Sequence, residues 1–438
     1  MTPDEAERYL LSLELFGMRF GLDRMRRLMT ALGHPERSFK SIHVVGTNGK
    51  SSTTRMVAAI LAHHGLRTGA YLSPHLVSFG ERIRIDDADL APAEFGAAVG
   101  RAAHAAELVD RLLEPGDRVT QFEALTAAAY SELARRHVEV AVIEAGLGGR
   151  YDATNVIPSA VQVLTSVGLE HTRWLGPTLV DIAGEKLDVV QPSGTLVLGA
   201  GLEPEVIALA ERVCAERGAR LVHAGIDPGV AVGAAGVFQR RNFALARAAA
   251  AAFLGALDAD AVAAAAAEVR VPGRLQQIGS DPLTLLDGAH NPDGMRALAE
   301  SLPELVAGHD RVVATVSILD DKDAAGMLAG LWAGGEGGGG VPIHALVFTS
   351  SQNPRALPPP TLQSLTRQLH GPPSEVVPDP RSALARAREL AGPQGVVIAT
   401  GSLYLIADLL AAGARGASRA CDPAGGRPRY ITSLPGFE

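Results

Sequence analysis

The sequence predicts an α/β protein with a P-loop-type domain on a mainly parallel sheet, followed by a smaller Rossmann-like α/β domain. Its 438 residues exceed what one hydrophobic core usually supports, which indicates more than one domain. Apolar, β-branched runs recur along the chain, and helical patterns follow them, as in a parallel sheet covered on both faces. Several runs end in glycine-rich or polar turns, which are typical of the ligand-binding edge of such sheets.

The strands of the first domain are predicted where short apolar runs stand between helical segments. They are expected at residues 42–45, 69–71, 138–143, 160–165 and 195–198. Because ligands bind beyond the carboxyl ends of parallel strands, three segments that are distant in sequence should meet at one edge of the sheet. These segments are residues 46–52, 144–149 and 165–171.

A second α/β unit is predicted from four further apolar runs. They lie at residues 283–286, 311–316, 345–349 and 396–400. Alanine-rich helices over residues 242–269, followed by Pro272-Gly273-Arg274, would close the first domain near residue 280. The expected domains are 1–280 and 281–412, with a flexible surface loop at 334–340 and a loose tail at 413–438.

The most informative turn follows the first predicted strand, where Gly46-Thr47-Asn48-Gly49-Lys50-Ser51-Ser52 leads into a helical pattern. Such a turn aims backbone N–H groups and a helix N-terminus at one point, which suits a phosphate. Lys50 adds a positive charge, and a neighbouring serine can ligate Mg²⁺. The run is not a full Walker A motif, because Val44 stands where the first glycine belongs. We therefore expect this turn to bind a nucleoside triphosphate.

Composition indicates which partners and which cellular compartment are expected for the protein. The formal net charge is −8 and no block of Lys and Arg stands out, so nucleic acid is not an expected partner. The two cysteines, Cys214 and Cys421, fit no metal spacing and indicate a reducing compartment. The N-terminus lacks a secretory apolar segment, and the apolar residues 248–269 are interrupted by Asp258 and Asp260. The expectation is a cytoplasmic protein with no membrane partner.

Two polar groups at the predicted sheet edge are candidates for a metal site. Glu144 follows a strand directly and precedes the turn Gly146-Leu147-Gly148-Gly149, so its carboxylate can hold a hard cation such as Mg²⁺. A helix-capping acid is an equally good reading of Glu144 alone. His171 follows another strand; an isolated histidine is more often structural, but its place at this edge favours a functional role.

Polar residues also stand beside or beyond other predicted strands. In the run 81–85, the alternation predicts a strand with Arg82 and Arg84 on one face, suited to a carboxylate or simply to solvent. In the second domain, Asp287 to Pro292 and Thr400-Gly401-Ser402 both end strands in polar turns. An Asx-type turn would explain Asp287 and Asn291, but not His290. Polar edges on both domains suggest a ligand cleft between them.

Taken together, these motifs resemble the folylpolyglutamate synthase and dihydrofolate synthase family, within the larger group of ATP-dependent Mur-type amide ligases. The resemblance covers most of the chain and follows the family's motif order. Its motifs are Gly21-Leu22-Asp23-Arg24, Gly46 to Lys50, Ser73-Pro74-His75-Leu76, Thr120 to Thr126, Glu144 to Gly149, Glu170-His171-Thr172, Glu185-Lys186, Pro272-Gly273-Arg274, Asp287 to Pro292 and Thr400-Gly401-Ser402.

The resemblance implies an ATPase domain and roles for individual residues. Lys50 and its loop would hold the ATP phosphates, with further ATP contacts from Asn242, Arg274 and Asp287. Two Mg²⁺ ions are expected, and Lys186 would carry a carbamate that supports the second of them. The implied metal ligands are Ser73, Glu144, His171 and Lys186, and the implied catalytic residues are Lys50, Lys186, Arg274 and His290.

The resemblance also implies the substrates, which are L-glutamate and dihydropteroate, reduced folates or both. His290 and Ser402 would place the glutamate, and Phe122 could stack on the pterin ring. A monomer is expected, since family members are usually monomeric. The other implied substrate-binding residues are Leu22, Asp23, Arg24, Arg82, Thr120, Gln121, Tyr151, Asp152 and Ala153.

One residue departs from the family pattern, and two alternatives to this function stay open. The family usually has glycine directly after the loop lysine, where this chain has Ser51. Ser51 and Ser52 therefore compete as the hydroxyl that contacts metal or phosphate. The alternatives are a Mur-type ligase acting on another carboxylate, such as a cell-wall precursor, and a nucleotide-dependent switch that forms no bond.

Overall fold

The computed structural model of the chain describes residues 1–14, 21–332 and 341–417. The loop expected at 334–340 lies outside these residues. The tail expected at 413–438 also lies outside them, apart from residues 413–417, which belong to a helix that ends at Ala417. The chain divides into two compact units by its internal contacts.

The first unit comprises Met1–Ala234 and Gln239–Arg270. Its described strands are β1 (Lys40–Val45), β2 (Thr68–Tyr71), β3 (Ile83–Ile85), β4 (Ala88–Asp89), β5 (Val140–Glu144), β6 (Val161–Leu164), β7 (Thr195–Leu198) and β8 (Arg220–His223). Within the described residues they form an eight-stranded sheet in the order β4-β3-β2-β5-β1-β6-β7-β8. Neighbours from β2 to β8 in this order are parallel, and β3 and β4 make an antiparallel edge.

Helices connect these strands. They are α1 (Pro3–Ser12), α2 (Asp23–Ala31), α3 (Lys50–His63), α4 (Pro92–Asp110), α5 (Gln121–Arg135), α6 (Thr172–Leu175), α7 (Leu179–Leu187), α8 (Pro204–Arg217), α9 (Val237–Leu254) and α10 (Ala259–Glu268). Short 3₁₀ helices lie at Pro35–Arg37, Phe79–Arg82 and Ala153–Val156. One apolar cluster joins α4 and α5 to β5, and another joins α7 and α8 to β6 and β7.

The second unit comprises Ala235–Phe238 and the described residues from Val271 onward. Its strands are β9 (Gln276–Ser280), β10 (Leu283–Leu286), β11 (Val312–Val316), β12 (Ala345–Phe348), β13 (Ser374–Val376) and β14 (Val396–Thr400). Its helices are α11 (Pro292–Leu305), α12 (Ala324–Trp332), α13 (Pro359–Gln368), α14 (Pro380–Ala391) and α15 (Leu403–Ala417). The described sheet has the order β13-β12-β11-β14-β10-β9 and is parallel except for β9, which pairs antiparallel with β10.

The predicted fold class is confirmed, because both units carry mainly parallel sheets with connecting helices. The contacts divide the chain after Arg270, earlier than the boundary expected near residue 280. The reason is that β9 pairs with β10 and so belongs to the second sheet.

The strand predicted over residues 81–85 is wrong in its first half. Phe79–Arg82 is a 3₁₀ helix capped by Ser78, and only Ile83–Ile85 is strand. The Ser78 side chain and Glu81 form a capping box, which favours a helical turn there. No helix among the described residues has the length and apolar character needed to cross a membrane.

Candidate active site

The turn between β1 and α3 has the geometry expected of a phosphate-binding loop. Helix α3 begins at Lys50, and the preceding Gly49 has a φ of 85°, a left-handed conformation that glycine adopts without strain. Lys50 folds back over the turn, where its Nζ donates to the backbone oxygens of Gly46 at 3.1 Å and Thr47 at 3.2 Å. The loop therefore places an ammonium group at a helix N-terminus.

Residues that follow β6 hold this loop in place. The backbone N–H of Thr47 donates to the Ser166 carbonyl at 2.8 Å, and that of Asn48 donates to Ser166 Oγ at 2.9 Å. The Thr165 hydroxyl donates to the Asn48 carbonyl at 2.6 Å. The sequence analysis did not single out Thr165 and Ser166 as site residues. The signal that could have found them is two hydroxyls directly after a strand parallel to β1.

Glu144, the last residue of β5, hydrogen-bonds both to the phosphate loop and to the segment that follows β2. The residue is buried, with only 1% of its surface exposed. Oε1 accepts a hydrogen bond from Ser51 Oγ at 2.8 Å, and Oε2 accepts one from the backbone N–H of Ser73 at 3.0 Å. The predicted meeting of residues 46–52, 144–149 and 165–171 at one sheet edge is thus confirmed.

Lys186 reaches the same loop from α7, which the sequence alone gave no reason to expect. The side chain is buried, and Nζ donates to the Gly46 carbonyl at 2.9 Å, the oxygen that Lys50 also contacts. Burial, and then the charge of Lys50, lowers the pKa of Lys186 from its usual 10.5 to about 7. A substantial fraction of Lys186 is therefore the neutral amine at neutral pH.

The glycine-rich turn after β5 packs directly on the end of α7. A Cβ on Gly149 would lie 2.8 Å from the backbone oxygens of both Glu185 and Lys186, so only glycine fits there. Arg150 strengthens the contact, because its N–H donates to the Glu185 carbonyl and its Nη1 lies 2.9 Å from Glu185 Oε1. This close contact fixes the position of Lys186 relative to the phosphate loop.

Of the predicted metal ligands, only Glu144 and His171 are of the His, Cys, Asp or Glu types. Among the described residues, no cluster of three or more His, Cys, Asp or Glu side chains could hold a metal ion. His171 precedes α6, its side chain is 42% exposed, and Nε2 lies 3.9 Å from Glu170 Oε1. Mg²⁺ commonly uses one or two carboxylates together with water and substrate phosphates. Buried Glu144 beside the Ser51 hydroxyl and the phosphate loop fits that pattern.

The residues predicted to bind the pterin fall into two groups. Phe122 lies against the glycine turn, since a Cβ on Gly146 would be 2.7 Å from its ring, and its centroid is 6.1 Å from that of Tyr71. Tyr151 is 45% exposed, whereas Asp152 and Ala153 are buried. Phe122 is half-buried and Tyr151 is exposed, so neither residue is fully enclosed by the protein.

The second group uses its polar atoms within the protein. Arg24 is buried and donates through Nε to both carboxylate oxygens of Glu123 at 3.1 Å, and it pairs with Asp117 at 3.2 Å. Thr120 caps α5, and Gln121 Nε2 donates to the Leu10 carbonyl at 2.8 Å. Leu22 is buried at the start of α2, and Asp23 is an exposed partner of Arg26.

Arg82 and Arg84 do not share a strand face. Arg82 is buried, and its Nε–H donates to His75 Nδ1 at 2.9 Å while its guanidinium lies 5.4 Å from the Phe79 ring. Burial, and then Arg82, holds the pKa of His75 well below its usual value, so His75 is neutral and can accept. Arg84 instead pairs with Asp87 and Asp89 on the antiparallel edge.

Asn242 of α9 is adjacent to the phosphate loop. A Cβ on Gly49 would lie 2.7 Å from Asn242 Oδ1, so the amide lies beside the residue that directly precedes α3. Its Nδ2 donates to Gln239 Oε1 at 3.0 Å. Ser52, the rival of Ser51, is buried in α3. The structure thus gathers Lys50, Ser51, Ser73, Glu144, Lys186 and Asn242 around one turn.

The second unit has its own polar edge at the ends of β10 and β14. Asp287 is buried, and its carboxylate accepts from the backbone N–H groups of Leu275 at 3.0 Å and Ala289 at 2.9 Å. Burial raises its pKa, although Arg274 acts in the opposite direction. A Cβ on Gly288 would lie 2.2 Å from Arg274 Nη1, so the guanidinium rests on this turn.

His290 and Ser402 follow these neighbouring strands. His290 Nδ1 lies 3.0 Å from the Gly288 carbonyl. Gly401 donates through its N–H to the Ala289 carbonyl at 3.1 Å, which joins the two turns. Buried Ser402 accepts at Oγ from the Tyr404 N–H at 3.1 Å. Asp287, His290 and Ser402 therefore lie on two adjoining turns, and the side chain of Arg274 reaches the first of these turns from the segment before β9.

Comparison with known proteins identifies the family. The Mur ligase glutamate ligase domain matches residues 273–403. The dihydrofolate synthase/folylpolyglutamate synthase of Mycobacterium tuberculosis is 36% identical over 423 residues, covering 85% of this chain and 84% of that protein. The chain belongs to the dihydrofolate synthase/folylpolyglutamate synthase family.

Solved structures of family members have the same fold. Mycobacterium tuberculosis folylpolyglutamate synthase, complexed with ADP, matches with a TM-score of 0.84 and 32% identity, covering 96% of this chain and 99% of that one. The bifunctional folylpolyglutamate synthase/dihydrofolate synthase of Yersinia pestis, complexed with AMPPNP and Mn ion, matches at 0.81 and 29%, covering 94% and 98%. As a member of this dihydrofolate synthase/folylpolyglutamate synthase family, the chain is an ATP-dependent ligase.

Proposed function

We propose that the chain joins L-glutamate to the carboxylate of dihydropteroate and of reduced folates, using ATP and an acyl phosphate intermediate. The observation that carries the proposal is the gathering of Lys50, Lys186, Ser51 and Glu144 at the end of β1. Two lysines, a buried carboxylate and a helix N-terminus suit a triphosphate with its divalent cation.

The reaction proceeds by two displacements. A carboxylate oxygen of the acid attacks the γ-phosphorus of ATP, and the β–γ bridging bond breaks to release ADP. The glutamate amine then attacks the acyl carbon, loses a proton, and expels inorganic phosphate. The chain performs little covalent chemistry, so Lys50 and the loop N–H groups act by binding and by stabilising phosphoryl charge.

A divalent cation fits the donor set at this loop. Glu144, the Ser51 and Ser73 hydroxyls and His171 would hold it with the ATP phosphates, and it would supply charge neutralisation there. The Ser51 contact with Glu144 favours Ser51 over Ser52 as the loop hydroxyl. Two ions, as expected from the resemblance, stay part of the proposal.

Lys186 is proposed to react with carbon dioxide and become a carbamate that supports the second ion. The reaction needs the neutral amine, which a pKa of about 7 provides. NMR with isotopically labelled bicarbonate tests this directly. The expected carbamate signal is absent in Lys186→Met and unchanged in Lys322→Met, whose lysine lies in the second unit. A signal that survives in Lys186→Met would contradict the assignment.

The second unit is proposed to contribute residues that bind ATP and glutamate. Arg274 and Asp287 are assigned to ATP, and His290 and Ser402 to glutamate. These assignments are supported by the adjoining turns after β10 and β14, which the Gly401–Ala289 hydrogen bond joins.

Phe122 and Tyr151 are assigned to the pterin, with the phosphate loop close to the acid's carboxylate. A monomeric, cytoplasmic enzyme stays a prediction.

The test is ADP release measured with each substrate omitted in turn. We expect release that needs both glutamate and an acid, with dihydropteroate and a reduced folate assayed side by side. Lys50→Met should lower kcat by roughly 100-fold. The matched control is Lys40→Met, which alters an exposed lysine at the opposite end of β1.

Three outcomes would change the proposal. ADP release that ignores both acid and glutamate would favour the nucleotide switch. Release with a different carboxylate alone would favour the Mur-type alternative. Activity with only one of the two acids would leave the ligase but remove its bifunctionality.

A further inference from the structure

A chain of buried polar side chains runs from the centre of the first sheet to the glycine turn after Glu144. His43 of β1 is fully buried, and its Nε2 lies 2.8 Å from Thr154 Oγ1. The Thr154 hydroxyl in turn donates to Asp152 Oδ1. His43 and Thr154 are both fully buried, and buried polar groups are costly unless they are hydrogen-bonded.

The hydrogen bonds in this chain have a defined direction. Because the single hydroxyl proton of Thr154 is given to Asp152, Thr154 Oγ1 must accept from a protonated His43 Nε2. His43 Nδ1 is then the bare nitrogen, and it is buried without a hydrogen-bond partner in the described part of the chain. Burial lowers the pKa of His43 to about 4, which agrees with a neutral ring.

Asp152 connects these hydrogen bonds to the Gly146–Leu147 turn. Its Oδ2 accepts from the backbone N–H of Leu147 at 2.8 Å, and Oδ1 accepts from that of Thr154 at 3.0 Å. Gly146 is confined between two groups, since a Cβ there would lie 2.7 Å from the Phe122 ring and 3.2 Å from Asp152 Oδ2. The position of the Phe122 ring therefore depends on where Asp152 holds this turn.

We propose that His43 and Thr154 are positioning residues that orient Asp152, and that Asp152 serves the acid substrate by fixing the Gly146–Leu147 turn beneath Phe122. Asp152 is only 7% exposed, and its oxygens are used by backbone N–H groups and by Thr154. This inference rests on the proposed function, in which Phe122 contacts the pterin.

The test compares two substitutions of Thr154. Thr154→Val keeps the shape and removes the hydroxyl, whereas Thr154→Ser keeps the hydroxyl and removes a methyl group. We expect Thr154→Val to raise the KM for the pteroate-type acid about tenfold, with the KM for ATP changed less than about twofold. Thr154→Ser should restore the KM for the acid to within about threefold of the wild-type value.

A control and a second pair keep the result interpretable. Thr366→Val makes the same change in α13, where the buried hydroxyl donates to the Leu362 carbonyl at 2.9 Å, and it should leave both KM values unchanged. If Thr154→Val does not fold, His43→Gln, which keeps an N–H donor, is compared with His43→Leu. Melting temperatures are measured for every variant.

Equal KM values for the valine and serine variants, or for the glutamine and leucine variants, would overturn the relay. A parallel rise in the KM for ATP would do the same, since it would indicate general distortion of the unit. Wild-type protein that shows no acid- and glutamate-dependent ADP release would instead contradict the proposed function, which separates the two failures.

Discussion

Two lysine side chains share one backbone oxygen at the phosphate loop. Lys50 Nζ and Lys186 Nζ lie 3.1 and 2.9 Å from the Gly46 carbonyl. Like charges held this close, one of them buried, disfavour double protonation. An anion at the loop, whether a phosphate or a carbamate on Lys186, relieves the repulsion.

Lys186 should therefore make folding pH-dependent. Its pKa is about 7 when folded and near 10.5 when unfolded, so between these values the unfolded chain binds a proton that the folded chain lacks. Unfolding free energy consequently rises with pH through this window, and the cost of the buried lysine is greatest below about pH 7.

We expect Lys186→Met to stabilise the nucleotide-free protein near pH 6 and to lose this advantage as the pH rises toward about 10. Thermal melting in bicarbonate-free buffer measures the difference from wild type at each pH. A difference that is the same at both ends of the range would contradict the buried, neutral lysine.

Ser51, where the family usually has glycine, gives a second prediction for a single residue. Removing its hydroxyl takes one hydrogen bond from the buried Glu144 carboxylate. Ser51→Ala should lower kcat/KM for ATP about tenfold, because hydrogen bonds to charged groups are worth about 1.5–3 kcal/mol. Ser52→Ala is the matched control, with less than about a threefold change expected. Equal losses in the two variants would count against Ser51 as the loop hydroxyl.

Single residues also show where sequence reasoning stopped. Gly49, Lys50 and Glu144 could be assigned because a turn or strand end gives them a local pattern. Lys186 has no such pattern; its place depends on how α7 packs against Gly149, a contact across more than 30 residues of chain. The partners of Arg24, Glu123 and Asp117, come from a distant segment, so its ion pairs could not be assigned from the sequence around it.

At the scale of elements, the contact between the glycine turn and α7 sets the geometry of the loop region. Gly149 has no room for a side chain, because a Cβ would lie 2.8 Å from the carbonyl oxygens of Glu185 and Lys186. Backbone atoms cannot rotate away as a side chain can. Any larger residue must therefore move α7, and Lys186 moves with it.

Gly149→Ala should destabilise the protein by about 1–3 kcal/mol and raise the KM for ATP. The control is Gly184→Ala in the middle of α7, where a Cβ would meet nothing within 4 Å. That change should stabilise by about 0.5–1 kcal/mol through helix propensity. Chemical denaturation and initial rates measure both effects. A neutral Gly149→Ala would show that α7 is not fixed by this contact.

Elements were the most predictable level of the structure. The strands β7, β10 and β14 have the bounds expected from their apolar runs, since continuous burial leaves a plain pattern. The run 81–85 misled because alternation of arginine and isoleucine also fits a 3₁₀ turn followed by three strand residues. The capping box of Ser78 and Glu81 was the competing local signal.

At the scale of the whole molecule, the functional assignment spans two units whose sites can each be described separately. The first holds the phosphate loop, and the second holds the adjoining turns of Asp287 and Ser402. Fold class was predictable because each unit repeats strand and helix patterns. The contacts divide the chain earlier than the expected boundary near residue 280, because β9 pairs with β10, and the polar sequence of β9 does not indicate this pairing.

If one nucleotide contacts both units, its binding must slow amide hydrogen exchange in both. We expect a non-hydrolysable ATP analogue with Mg²⁺ to slow amide hydrogen exchange at residues 46–51 and also at residues 287–290. Lys50→Met, which weakens binding at the first unit, should remove the protection from both segments. Protection confined to residues 46–51 would restrict the nucleotide to the first unit.

Strand β9 has a practical consequence for dividing the chain. It occupies the outer side of β10, and the other side of β10 is taken by β14. A fragment starting after Ser280 would leave a bare row of amide and carbonyl groups along β10, a template on which further copies can add as strands. Such a fragment should self-associate into large particles on a sizing column, whereas one starting at Val271 should elute as a discrete species.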